Sequence, residues 1–162
     1  MIKFERSTEE INKIAKETES SRPILSRLKT KTIPDEQQWQ IIEERYDNKY
    51  HFNKEGNLII DNSIKYNNKT IKYYGQEKVL EWLKQDEKRL KKFQRGHIWL
   101  NGVIAEAIIH IPSPHGNYTS QTIKSGGLYG IESDTSTEYI KEVEKEELQE
   151  VKSILKKLNV VL

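Results

Sequence analysis

Residues 119–140, TSQTIKSGGLYGIESDTSTEYI, carry a short apolar-polar alternation, a glycine-dense turn and the start of a helix within one stretch. Gly126, Gly127 and Gly130 are three of only eight glycines in the chain, and they surround Leu128 and Tyr129. Glycines this close together point to positive φ, or to a backbone approach that a Cβ would block. Glu132, Ser133, Asp134, Thr135 and Ser136 then supply acidic and hydroxyl groups ahead of an amphipathic run, the usual grammar of a helix N-terminus. The spacing Thr135…Glu138 matches a capping box, so Glu132 and Asp134 are expected beside the cap.

Upstream lies the most apolar segment, 97–111, HIWLNGVIAEAIIHI. Apolar side chains fall on both alternating faces, which predicts a central strand covered on both sides. Its length predicts a bulge or bend at Asn101-Gly102. Residues 112–118 read as a hairpin loop and 119–124 as its antiparallel partner. Amphipathic stripes predict helices over 76–94, stopped at Gly96, and over 137–158. Together they predict an α+β fold, a central antiparallel sheet packed by two long amphipathic helices, with a short N-terminal helical region.

The N-terminal part is less apolar. Ser7-Thr8-Glu9-Glu10 predicts a helix start running to about residue 19. Residues 20–34, with Pro23 and Pro34, four cations and no acid, read as a basic connector with a turn of helix at 24–28. A short helix is expected over 35–45. Strands over 49–52, 57–60, 63–66 and 70–74 predict a small meander, with Asn67-Asn68 as a hairpin turn. The 162 residues suit one domain: 1–48 a helical, basic-connector region and 49–162 the sheet and main helices.

Composition narrows the function classes. Hydrophobic residues make up 35% and charged residues 32%, so the core is lean, and eight tyrosines and three tryptophans supply much of its bulk. The absence of cysteine excludes disulfides, thiolate nucleophiles and cysteine metal sites. No apolar run approaches a membrane span and the first residues lack the pattern of a signal peptide, so a soluble cytosolic protein is expected. The net charge of +2 hides alternating blocks, positive over 1–33 and 62–95 and negative over 34–61 and 96–162. Candidate contact residues are Arg22, Arg27, Lys29 and Lys31 in the first basic segment. In the second they are Lys84, Lys88, Arg89, Lys91, Lys92 and Arg95. Solvated faces of surface elements account for the same charges.

Catalytic signatures are sparse. Glu106 sits within the apolar strand and must be paired or hydrogen-bonded, by glycine-turn amides or at an open sheet edge. Glu106, Glu132 and Asp134, with Lys124 as an electrophilic cation, form the one weak set for a divalent-metal nuclease. Against it, helix capping explains Glu132 and Asp134. His51, His97, His110 and His115 show no metal-ligand spacing. Ser125 or Ser133 with His110 or His115 lacks the G-x-S-x-G context of a serine hydrolase. Ser125-Gly126-Gly127 offers amides for a phosphate without the spacing of a phosphate-binding loop. No cofactor is expected.

The C-terminal stretch SGGLYGIESDTSTEYIKEVEKEELQEVKSIL resembles the ending of an uncharacterised family of small phage, prophage and mobile-element proteins. In that family a strand pair leads into a Ser-Gly-Gly-aromatic-Gly-Ile-Glu-Ser-Asp turn and an acidic amphipathic helix. The matching residues here are Ser125, Gly126, Gly127, Leu128, Tyr129, Gly130, Ile131, Glu132, Ser133 and Asp134, with Tyr129 where a tryptophan is expected. The resemblance covers about the last 65 residues, from Trp99 onward, and transfers no chemistry. It implies mobile-element origin and hence a role against host defence: a non-enzymatic protein that binds a host protein or ribonucleoprotein complex, such as a CRISPR or restriction nuclease. The alternatives are a nucleic-acid-binding module using segments 22–31 and 84–95, and a metal-dependent nuclease.

Overall fold

The computed structural model describes residues 1–18, 22–113 and 117–162. The chain divides into two compact units assembled from separate segments. The first holds Met1–Pro34, Asn101–Ile131 and Thr135–Leu162, and the second Asp35–Leu100 and Glu132–Asp134. The α+β class expected from the sequence holds. Among the described residues no helix is long and apolar enough to cross a membrane.

In the first unit the strands are β1 (Ile2–Glu5), β2 (Ile24–Pro34), β5 (Leu100–Pro112), β6 (Tyr118–Lys124) and β7 (Leu128–Glu132). They form one sheet in the order β1-β2-β5-β6, with β7 also pairing β5. The β5–β6 hairpin has the expected partners, from Glu106↔Lys124 to Pro112↔Tyr118. Its loop, with His115, lies largely outside the described residues. α5 (Thr137–Lys157) covers one sheet face: its Val151 and Leu155 join Leu25, Leu28, Ala105, Ala107 and Ile109 in the core.

The basic connector expected over 20–34 is instead strand β2, paired antiparallel along β5 from Ile24↔His110 to Pro34↔Asn101. Leu28 and Thr30 are buried while Arg27, Lys29 and Lys31 alternate with them. That period of two is a strand signal, and the flanking prolines lie at or beyond the strand ends, where they are tolerated. β1 is likewise a strand, so among the described residues the N-terminal region 1–48 is helical over α1 (Thr8–Thr18), where the Glu10 N–H donates to Ser7 Oγ at 3.2 Å, and again over Gln38–Tyr46.

The bulge expected at Asn101-Gly102 is absent from the β2–β5 register, and the irregularity falls at Leu25/Arg27. Gly102 instead seats the ring of Tyr129, because a Cβ at this position would overlap the ring atoms Cδ1 and Cε1.

In the second unit α2 (Gln38–Tyr46), the hairpin of β3 (Lys49–Phe52) and β4 (Leu58–Asn62), α3 (Asn68–Tyr74) and α4 (Gln76–Gln94) follow in order. α4 buries Val79 and Leu83 with Leu58 and Ile60 of the hairpin, and Phe93 with Ile42 of α2. The four-stranded meander is therefore a two-stranded hairpin followed by a helix. Asn67 is not a hairpin turn but the N-cap of α3: its Oδ1 accepts from Thr70 N–H at 3.0 Å, and Thr70 Oγ1 accepts from Asn67 N–H at 3.1 Å. This reciprocal capping box satisfies two end groups and outweighs the modest strand preference of Thr70–Tyr74. Ser63 ends the hairpin, its Oγ accepting from the N–H groups of Lys65 and Tyr66.

Gly127 has φ +83°, and a Cβ on it would meet Ile104 Cγ2 at 2.6 Å, whereas Gly126 has only a 3.5 Å contact with a Glu150 carboxylate oxygen. Gly127→Ala is expected to lower stability by about 2–3 kcal/mol, from left-handed strain plus the clash. Gly126→Ala is expected to cost less than about 1 kcal/mol at an ordinary loop position. Urea denaturation of the two variants tests this difference, and equal midpoints would contradict it.

Candidate functional site

The glycine turn of the first unit is closed by its own chain. The Gly126 N–H donates to Glu150 Oε1 at 3.1 Å and the Gly127 N–H to Glu147 Oε2 at 3.0 Å. Glu147 is 8% exposed. These amides, read from sequence as a place for a phosphate, already hold two carboxylates of α5. Ser125 fastens the other side: its N–H donates to the Ala105 carbonyl and its Oγ accepts from the Ala105 N–H, both at 2.9 Å. Gly130 is buried with φ +73°, Leu128 and Tyr129 are partly exposed, and the turn joins β6 to β7. It is a structural latch between strand and helix.

Glu106 lies at the centre of the sheet, directly between Lys29 on β2 and Lys124 on β6. Its Oε1 is 2.7 Å from Lys31 Nζ and 3.3 Å from Lys124 Nζ, and its Oε2 is 3.4 Å from Lys29 Nζ. Burial by itself pushes the Glu106 carboxyl up, but hydrogen bonds from Lys31 and Lys124, with the Lys29 ammonium, outweigh it and hold the group below its ordinary value. Lysines, rather than glycine-turn amides, satisfy this carboxylate. Three ammonium groups at one carboxylate repel a divalent cation, so Glu106 has the wrong surroundings for a metal ligand.

Glu132 and Asp134, which belong to the second unit, are held there by α4. Arg89 of α4 grips Asp134 in a fork, Nη1 to Oδ2 at 2.7 Å and Nη2 to Oδ1 at 2.6 Å, and Nη2 also reaches Glu132 Oε2 at 3.1 Å. The Tyr46 hydroxyl donates to Glu132 Oε1. Hydrogen bonding to Arg89 holds the Asp134 carboxyl below its usual range, and the same contact raises the arginine further. The Tyr46 hydroxyl is pushed up to about 12, first by burial and then by Glu132. Glu132 and Asp134 are thus ion-pair partners rather than helix caps. Ser136 caps α5, its Oγ accepting from the Tyr139 N–H at 3.3 Å.

The remaining candidates divide by role. Lys84, Lys88, Lys91 and Lys92 are exposed on α4 and Arg95 just after it, while Arg89 is consumed by its two carboxylates. Arg22 Nε donates to the Asn159 carbonyl at 3.0 Å. Among the described residues no group of three or more His, Cys, Asp and Glu side chains is placed to hold a metal ion. His51 pairs with Asp61 at 2.9 Å, and the His110 ring meets Tyr118 edge-on.

Sequence reasoning missed an aromatic ladder in the second unit. Tyr66 stacks on Trp82 with centroids 6.1 Å apart, Tyr74 meets Trp82 edge-on at 5.1 Å, and Tyr73 meets Tyr74 at 4.7 Å. The inner end is anchored: Tyr66 Oη contacts Asp86 Oδ2, which also receives Lys65 Nζ at 2.9 Å and Asn48 Nδ2 at 3.0 Å. Burial, then Asp86, pushes the Tyr66 hydroxyl up to about 12. The outer end is open, with Tyr73 81% and Tyr74 56% exposed. The signal was the N-x-x-T cap at Asn67, which turns 68–74 from a strand into a helix against α4.

Two outcomes follow for these charges. Arg89→Met leaves Glu132 and Asp134 without their cation and is expected to cost about 1–2 kcal/mol, the half-exposed Asp134 limiting the loss. A double-mutant cycle with Asp134→Asn measures the coupling, and a value indistinguishable from zero would remove the clamp from the account. For Glu106 the folded value is depressed, so its contribution is complete above the unfolded glutamate value of about 4.3 and is lost as pH falls through the lower folded value. Stability of the wild type therefore declines through this acid range, and Glu106→Gln flattens that part of the profile. An identical acid profile in the variant would contradict it.

No protein-family model matches the chain, and no curated protein or solved structure shows significant similarity to it.

Proposed function

We propose that this protein is a non-enzymatic accessory protein of phage or mobile-element type. It acts in the host cytosol by binding a host protein or ribonucleoprotein machine, such as a CRISPR or restriction nuclease, and blocking it. The observation that carries this reading is the open end of the aromatic ladder, Tyr73 and Tyr74 standing out from α3 on a base of Trp82 and Tyr66. Tyrosine offers large, rigid contact area at low entropic cost, and aromatic anchors dominate the energetics of protein interfaces. Tyr74 packed edge-on against Trp82, with Tyr73 against Tyr74, brings such anchors in a preorganised form. The ion pairs of Glu106, Glu132 and Asp134 and the occupied glycine amides support a binding role for the chain over a catalytic one. The row of cations on β2 favours a second reading, a nucleic-acid-binding module.

The test is inhibition of purified CRISPR and restriction nucleases by stoichiometric amounts of this protein. Loss of the two outer rings, Tyr73→Ala with Tyr74→Ala, is expected to weaken inhibition at least ten-fold, as removal of interface anchors does, with little change in melting temperature. A wild-type protein inert across the panel would overturn the reading. Inhibition untouched by the double variant would move the contact surface elsewhere.

A further inference from the structure

We propose that Lys29, Lys31 and Lys124, gathered around Glu106, form a binding site for phosphate groups, with Arg27 extending it along the strand toward a phosphodiester chain. The inference is independent of the aromatic ladder and supplies residues for the nucleic-acid reading. Cross-strand register builds the site. Lys29, Glu106 and Lys124 are direct partners on three neighbouring strands, and Lys31 and Arg27, two residues to either side of Lys29, share their sheet face.

Charge and donor counts argue for a second anion. Three ammonium groups stand within 3.4 Å of one carboxylate, an arrangement with two positive charges in excess. A carboxylate accepts at about four lone-pair positions, whereas each ammonium has three N–H donors, so most donors at this site have no acceptor in Glu106. The carboxylate lies at the bottom, its side chain 6% exposed, and the Lys29, Lys31 and Lys124 side chains open outward at 28%, 38% and 57%. Glu106 thus holds three cations together that would otherwise repel one another, and leaves their outer donors available. Arg27 continues the row of cations on the same face, opposite Glu5 of β1.

Shape chooses the class of ligand. Alternate residues on a strand repeat at roughly 6.5–7 Å, so Arg27, Lys29 and Lys31 form a row about 13 Å long. One inorganic phosphate occupies only the lysine cluster, while consecutive phosphates of a nucleic-acid backbone engage the row.

The experiment uses the full chain with two probes, inorganic phosphate and a short single-stranded oligonucleotide. Lysine side-chain resonances are followed by NMR and oligonucleotide affinity by fluorescence anisotropy across a salt series. Phosphate is expected to shift the Lys29, Lys31 and Lys124 signals. Lys31→Gln with Lys124→Gln is expected to weaken oligonucleotide binding at least ten-fold and to reduce the log–log salt slope by about 0.7 for each phosphate no longer neutralised. Lys124→Gln alone, at the most exposed position, serves as the variant that keeps the Lys29 and Lys31 pairings of Glu106 if the double variant misfolds; weaker binding by it supports the site. Shifts with phosphate but not with the oligonucleotide assign the site to free phosphate and remove the backbone extension through Arg27. Lysine signals unmoved by both probes, or folded variants that bind the oligonucleotide like the wild type, would overturn the proposal and leave the cluster a solvated ion network.

Discussion

The antiparallel ladder between β2 and β5 is the constraint on which the first unit depends. It runs from Ile24↔His110 to Pro34↔Asn101 and assigns every side chain of both strands to one of two faces. Leu28, Ala105 and Ala107 go to the face that α5 covers through Val151 and Leu155. Arg27, Lys29, Lys31 and Glu106 go to the other. A slip of one residue would place lysines under the helix and leucine in water, so burial of the apolar face enforces the register that brings the lysines around Glu106. The buried carboxylate of Glu106 is tolerated because that register supplies its counter-charges, and removing them would leave a buried charge unpaired.

The glycine segment answers to the same sheet. Ser125 is tied to Ala105 by two hydrogen bonds, and the next two amides are taken by Glu150 and Glu147 of α5. Glu147 and Glu150 thus hold the turn onto which the helix packs. Gly102 and Gly127 then make room for the Tyr129 ring. The residues that most clearly mark this chain in sequence therefore spend their hydrogen bonds and their missing Cβ atoms on joining strand to helix. A motif of this kind identifies a fold element without identifying a reaction.

The second unit solves a different problem, a lean core with few aliphatic residues to spare. Val79, Leu83, Leu58 and Ile60 form a small cluster, and aromatic rings extend it outward through Trp82, Tyr66 and Tyr74. Arg89 and Asp86 do the polar work at its borders, Arg89 by its fork to Asp134 and Asp86 by accepting from Lys65, Asn48 and Tyr66. Tyr66 at the inner end is tethered to Asp86, and each ring further out rests on the one before it.

Periodicity alone determined the long elements of this protein: the apolar strand centred on Glu106, its hairpin partner, the helices of residues 76–94 and 137–157, and the α+β class. Each is set by a repeat in the chain that any folded arrangement must bury. Short elements were decided differently. Strand β2 hid its alternation behind prolines and lysines, and α3 hid behind two asparagines whose side chains serve a cap as readily as a turn. Pairing lay further out of reach, because Lys29 comes beside Glu106 only when strands distant in sequence adopt one register, and Arg89 reaches Asp134 from 45 positions away. Sequence spacing carries local geometry, and the partners of a charge are chosen by whichever distant segments burial of the apolar faces brings alongside it.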